Sequence, residues 1–351
     1  MRNITISLLY LISEQHDGYK AIINSKNLLI TDIQMKKVIS LFILTFFASL
    51  AVKASTYSDT AFVEKKMILQ TKTGEILGTL TTPEKFTKIP VALIIAGSGP
   101  TDRDGNNPVM KNNSLKMLST ELVKQGIATL RYDKRGIAES QASGKSEKDL
   151  RFEDYVNDAK EWIKLLKQDK RFSKIIIIGH SEGSLIGMIA GITADKYISI
   201  AGPGQSADKI LKEQLQAQPK IVTDIALPII DSLAKGLKVV NVDPMLVLLF
   251  RASVQPYIIS WFKYDPQTEI KKLTIPVLIL QGTNDIQVSV EDARRLSIAD
   301  PKAHLVLIKN MNHIFKIVEG DRQANIKTYS DPLLPISDEL VKNITGFILK
   351  D

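Results

Sequence analysis

The chain has 351 residues, with 46 lysines and arginines against 38 aspartates and glutamates, a formal charge of +8 and no cysteine. Without cysteine there is no disulfide, no thiolate metal site and no cysteine nucleophile. The lysines are scattered along the chain. That is the pattern of a solvated surface and not of a nucleic-acid footprint.

Met35-Lys36-Lys37 precedes an apolar run from Val38 to Ala51, and Val52-Lys53-Ala54 follows it. A basic start, an apolar centre and a small-residue end are the three parts of a secretory signal peptide, so cleavage is expected after Ala54. The run is short for a membrane span, and no cysteine follows that would carry a lipid anchor. Residues 1–34 are then expected to be an upstream extension from a mis-called start. The expected mature protein is Ser55–Asp351, 297 residues. Residues 1–54 hold six basic and three acidic side chains, which leaves +5 on the mature chain. The expected destination is the periplasm, with no stable membrane anchor after cleavage.

From Phe62 to Thr82 the polarity alternates around Lys72-Thr73-Gly74-Glu75, which predicts a β-hairpin with Gly74 in its turn. Val91–Ala96 reads as a buried strand running into Gly97-Ser98-Gly99-Pro100-Thr101-Asp102-Arg103-Asp104-Gly105-Asn106, a composition that only a loop can hold. Ser114–Gln125 is helix-like, with Gly126 placed to cap it. Ile127–Tyr132 is a strand, and Asp133-Lys134-Arg135-Gly136 a second loop. Apolar residues at Phe152, Tyr155, Val156, Ala159, Trp162, Ile163 and Leu166 have the spacing of an amphipathic helix.

Next comes Ile175-Ile176-Ile177-Ile178-Gly179-His180-Ser181-Glu182-Gly183-Ser184-Leu185-Ile186-Gly187. Four consecutive isoleucines predict a strand buried on both faces, and the small apolar residues after Gly183 predict a helix. Gly-x-Ser-x-Gly between them is the signature of a nucleophile elbow. A serine in a strained backbone leaves no room for side chains two positions to either side, hence Gly179 and Gly183.

Tyr197–Ala201 is a further strand. Alternating strands and helices predict a parallel sheet covered on both faces. The alternation stops at 205–270, an apolar, helix-like stretch interrupted by Pro219, Pro228, Pro244 and Pro256. It is expected to form a helical cap over a core made of residues 55–204 and 271–351. Val277–Gln281 resumes the sheet, Val290–Ile298 is a helix, His304–Ile308 the last strand and Asp338–Leu349 a closing helix.

A serine hydroxyl needs a base to become nucleophilic, and the base needs an orienting carboxylate. Of four histidines, His16 precedes the signal peptide, His180 is the elbow's variable position and His304 opens a strand. His313, in a loop directly after the last strand, is the candidate base. Asp285 follows a buried strand one unit earlier and is the candidate carboxylate, ahead of Asp292 and Asp265. The amide of Glu182 and that of Ser98 are the candidate oxyanion donors. The Glu182 carboxylate has no role legible here. Asp102, Arg103 and Asp104 are expected to pair with opposite charges and hold their loop, rather than to bind a substrate carboxylate. Tyr257, Trp261, Phe262 and Tyr264 form an aromatic cluster that either lines an acyl pocket or builds the cap's own core. The first three are carried forward as weak pocket candidates.

From about Phe62 onward the chain resembles the α/β-hydrolase superfamily, in particular bacterial carboxylesterases of the serine-aminopeptidase-like branch. The resemblance is carried by Ala96 through Asn106, Arg131-Tyr132-Asp133-Lys134-Arg135-Gly136, Gly179-His180-Ser181-Glu182-Gly183, Gln281-Gly282-Thr283-Asn284-Asp285 and Asn312-His313. Many relatives carry a histidine where this chain has Ala96. The resemblance implies a mostly parallel eight-stranded sheet with helices on both faces and a helical cap insertion. It implies hydrolysis of a small-molecule acyl compound through an acyl-serine, without metal or organic cofactor. The expected reaction is cleavage of short- or medium-chain carboxylic esters. Peptidase and thioesterase are the enzymatic rivals, and a binding protein on the same fold is the non-catalytic one.

Overall fold

The computed structural model describes residues 61–216 and 218–350. The stretch expected to be a signal peptide, and His16 before it, lie outside the described residues.

Eight strands form one sheet in the order β1-β2-β4-β3-β5-β6-β7-β8. They are β1 Phe62–Thr71, β2 Gly74–Pro83, β3 Ile89–Ile95, β4 Ala128–Tyr132, β5 Phe172–His180, β6 Lys196–Ile200, β7 Val277–Gly282 and β8 His304–Ile308. The hairpin β1–β2 is antiparallel and joins β4 antiparallel. Every later pairing is parallel. Gly74, at φ 135, makes the tight hairpin turn that a side chain would strain. As the free edge, β1 is mostly exposed and carries Lys65 and Lys66, which discourage pairing with another chain.

The isoleucine run of β5 divides as a two-residue period requires. Ile175 and Ile177 join one apolar cluster, and Ile176 and Ile178 the other. All four are buried, each contributing about 1.5–3 kcal/mol relative to exposure. One face is covered by α1 (Ser114–Lys124) and the C-terminal helix Asp338–Leu349. The other is covered by α2 (Phe152–Gln168) and α3 (Glu182–Ala190).

Among the described residues, five α-helices separate β6 from β7: α4 Ala207–Gln216, α5 Lys220–Ala234, α6 Val247–Phe250, α7 Gln255–Phe262 and α8 Pro266–Ile270. Their apolar residues, among them Leu215, Ile230, Phe250 and Trp261, belong to the same cluster as the α2–α3 face of the sheet. The insertion is therefore packed into the core rather than set apart from it. Ser260 Oγ of α7 accepts the Phe152 amide at 2.8 Å, tying the insertion to the start of α2. Four short pieces among the described residues are not signalled by apolar period: the 3₁₀ turns Ala138–Ser143, Glu147–Asp149 and Thr328–Ser330, and the short helix Arg322–Lys327. None is longer than two turns, too short to write a periodic stripe.

Candidate active site

Ser181 sits where β5 turns into α3, with φ 54° and ψ −122°. A non-glycine residue there costs about 1–3 kcal/mol, which the surroundings must hold in place. They do so sterically. A Cβ on Gly179 would lie 2.3 Å from the Gly183 carbonyl oxygen, and one on Gly183 would lie 2.3 Å from the Ile95 oxygen. The elbow therefore closes directly against β3. The Ser181 amide donates to Ile200 O at 3.0 Å, fixing the turn to β6 as well.

His313 occupies a tight turn after β8. Asn312 N donates to Lys316 O at 2.9 Å, and the Asn312 Oδ1 accepts the amides of Ile314 and Lys316. Its Nδ2 reaches Asn325 Oδ1 at 3.0 Å and Thr328 Oγ1 at 2.8 Å. The short helix missed in the sequence thus supports the turn that carries His313. His313 Nδ1 donates to Asp285 Oδ2 at 2.9 Å. Asp285 also accepts the amides of Gln287 and Val288 at 2.8 and 3.0 Å, and Gln281 Nε2 at 3.1 Å. Burial pushes the Asp285 carboxyl up, but the adjacent imidazole and its hydrogen bond, with the two amides, outweigh burial and hold it below the usual carboxylate range. The residue stays an anion oriented on His313.

Ser181 and His313 line one cavity of about 50 Å³, together with Gly97, Ser98, Thr101, Asn107, Asn112, Gln287 and Tyr329. No hydrogen bond joins the Ser181 hydroxyl to His313 among the described residues. A second, apolar recess also borders Ser181, walled by Leu185, Pro203, Ile210, Leu211, Trp261 and Val288. The amides of Ser98 and Glu182 donate to no backbone carbonyl among the described residues, and Glu182 is the first residue of α3, where a helix leaves its amides without an intrahelical partner.

Other candidates find different places. Asp292 accepts the Gly204 amide and caps its own helix through Ser289, and Asp265 caps α8. His304 is exposed at the start of β8. Of the three pocket aromatics, Trp261 walls the recess beside Ser181. Tyr257 instead spends its hydroxyl on Glu182 Oε1 at 2.5 Å, and Phe262 packs in the core. Arg103 binds Asp133 at 2.9 Å and also Glu139, while Arg131 pairs with Asp104 and Glu64. Asp102 accepts the amides of Asp104 and Asn106. These charges hold the loop that carries Ser98, and both guanidinium groups already have carboxylate partners.

Two functional neighbours were not found by reading the sequence. His180 Nε2 donates to the His313 carbonyl oxygen at 2.9 Å, its ring 4.7 Å from the His313 ring. Burial and the adjacent His313 push its pKa down to about 3, so it is a neutral donor that braces the base loop. The second is Lys134, whose Nζ reaches Glu182 and the Gly97 carbonyl. No periodic signal marks either, because each acts across strands remote in sequence.

The sheet and the helices that cover it have the α/β-hydrolase fold. Residues 112–258 match the family model described as serine aminopeptidase, S33. The chain is 27% identical over 251 residues to the esterase EstD of Thermotoga maritima, an alignment covering 69% of this chain and 58% of that protein. The chain thus spans less than two thirds of that relative's length. Among solved structures, Est1E from Butyrivibrio proteoclasticus superposes with a TM-score of 0.53 at 18% identity, over 81% of this chain and 98% of that one. The Pyrococcus furiosus esterase Pf2001 gives 0.51 at 15% identity, over 84% and 94%. At such identities the likeness is one of fold.

Proposed function

We propose that the protein is a serine hydrolase of short- or medium-chain carboxylic esters. The observation that carries this reading is that His313, 2.9 Å from Asp285, lines the same cavity as a serine held at φ 54°. Ser181 Oγ attacks the acyl carbonyl as His313 Nε2 takes its proton, and the alcohol leaves with that proton. Water then enters by the same route and releases the acid. Asp285 fixes the tautomer that leaves Nε2 free to accept, and stabilises the imidazolium. The amides of Ser98 and Glu182 receive the oxyanion.

The two walls around Ser181 differ, and this supports one orientation of the substrate. The apolar recess with Trp261 receives the acyl side of the ester. The polar cavity with Asn107, Asn112 and Gln287 takes the alcohol. The similarity to esterase EstD favours the same chemistry. The run at 35–54 supports export to the periplasm. N-terminal sequencing of the protein from a periplasmic extract, beginning at Ser55, tests that part.

The activity test is turnover of p-nitrophenyl butyrate against aminoacyl-anilides. Ester turnover lost in Ser181→Ala supports the reading. Cleavage of the anilides alone favours a peptidase instead.

A further inference from the structure

The ammonium of Lys134 has a place that the triad does not account for. It is 1% exposed and lies in the loop after β4. That loop is fixed on both sides. Asp133 accepts the Arg103 amide at 2.7 Å, and Arg135 grips Asp158 of α2 through Nε at 2.8 Å and Nη2 at 2.5 Å. Lys134 Nζ donates to the Gly97 carbonyl oxygen at 2.5 Å and to Glu182 Oε2 at 3.2 Å. It stands 5.1 Å from the centre of the Tyr155 ring. The other oxygen of Glu182 accepts the hydroxyl of Tyr257, from cap helix α7, at 2.5 Å.

Gly97 O and Ser98 N belong to one peptide unit. That unit is trans, so its C=O and N–H point in opposite directions. Fixing the carbonyl on Lys134 therefore fixes the direction in which the Ser98 amide points. The same ammonium holds the side chain of Glu182, whose own amide is the second donor. We propose that Lys134 is a positioning residue that sets both halves of the oxyanion hole at once, with Tyr257 extending the same network into the cap. This rests on the hydrolase reading above.

The ion pair alone would not call for such a residue. Replacing a buried pair by apolar side chains is often neutral or stabilising. What apolar replacements cannot supply is the second bond, to Gly97 O. The positive charge also lies beside the peptide that faces the developing oxyanion, and it neutralises a carboxylate that would otherwise oppose that charge.

The test separates positioning from folding. Lys134→Met alone strands the Glu182 carboxylate in the interior and is prone not to fold. The double variant Lys134→Met, Glu182→Gln removes both charges and leaves Tyr257 an amide oxygen to bond. Three quantities are measured on the full chain: thermal midpoint, kcat and KM on p-nitrophenyl butyrate, and Ki for an alkyl trifluoromethyl ketone. In the ketone adduct Ser181 Oγ bonds to the carbonyl carbon, the C=O pair moves to oxygen, and the serine proton goes to His313. Its affinity therefore reads the oxyanion hole directly.

The double variant is expected to keep a near-native midpoint and a KM within about threefold. Its kcat falls, and its Ki rises, by about 10²-fold, the lower end for loss of one oxyanion donor. A folded double variant with native kcat and Ki makes Lys134 a counter-charge only and overturns the proposal. Fluorophosphonate labelling of wild type, lost in Ser181→Ala, reports on the hydrolase reading separately. A wild type that labels beside a double variant of native Ki overturns the Lys134 role alone, whereas a wild type that does not label overturns both.

Discussion

The two sides of the site are built by different physics. On the nucleophile side, backbone packs on backbone: Gly179 against Gly183, Gly183 against β3, and Ser181 held in a conformation that L-residues avoid. On the acid–base side, Asp285 accepts hydrogen bonds from His313, Gln281, Gln287 and Val288, and Asn312 Oδ1 accepts the Ile314 and Lys316 amides that shape the turn carrying His313. Steric exclusion tolerates no substitution but needs few partners. A polar network tolerates the loss of one member but depends on many. His180 belongs to the first side by sequence and to the second by its hydrogen bond, and it couples them.

The comparison is broken most directly on the acid–base side. Asp285→Asn presents His313 with the wrong hydrogen-bond polarity, so kcat on p-nitrophenyl butyrate should fall about 10⁴-fold with a near-native thermal midpoint. A loss under about tenfold would remove Asp285 from the triad. On the nucleophile side the damage should instead be to folding. Gly183→Ala places a Cβ 2.3 Å from the Ile95 oxygen, and backbone must move. Urea unfolding should show a loss of about 3 kcal/mol, and an unchanged midpoint would mean that the elbow is loosely packed.

Asn312→Ala removes the bonds that shape the His313 turn. A stability loss of about 1–3 kcal/mol is expected, with kcat down by up to about 10²-fold through misplacement of the base. Full activity would show that the turn holds itself.

The smallest effect is a pH dependence. His180 is about 3 when folded against 6.5 in its ordinary state. The unfolded chain therefore binds a proton in that window which the folded chain does not, and the His180 contribution to stability is lost as pH falls below about 6.5. Between about pH 7 and pH 5, wild type should lose about 2 kcal/mol that His180→Gln does not. Asp158, raised to about 6 chiefly by burial, acts in the opposite direction over part of this range. It does so in both proteins, so the difference isolates His180. Parallel unfolding profiles would mean that His180 is not buried as a neutral ring.

This division also decides what the sequence reveals. The elbow is legible because steric demand writes itself as glycine at fixed spacing beside an isoleucine run. The hairpin, β5 to β8 and the long helices are legible because period and burial coincide there. Asp285 and His313 are reached by their order along the chain and by elimination among four histidines. Lys134, His180 and Asn312 are not legible. Each is an ordinary polar residue whose role comes from a partner 37, 133 or 13 positions away. The aromatic cluster of α7 shows the same limit. Tyr257 and Trp261 stand four apart on one helix, yet one bonds Glu182 and the other walls the recess beside Ser181.

The account is tested most directly by rapid-quench mass spectrometry of the protein mixed with p-nitrophenyl acetate. One acyl group per chain is expected on the peptide containing Ser181, forming faster than free acid is released and absent in His313→Ala. Ester hydrolysis that persists in Ser181→Ala, or an acyl group found on any other residue, would contradict it.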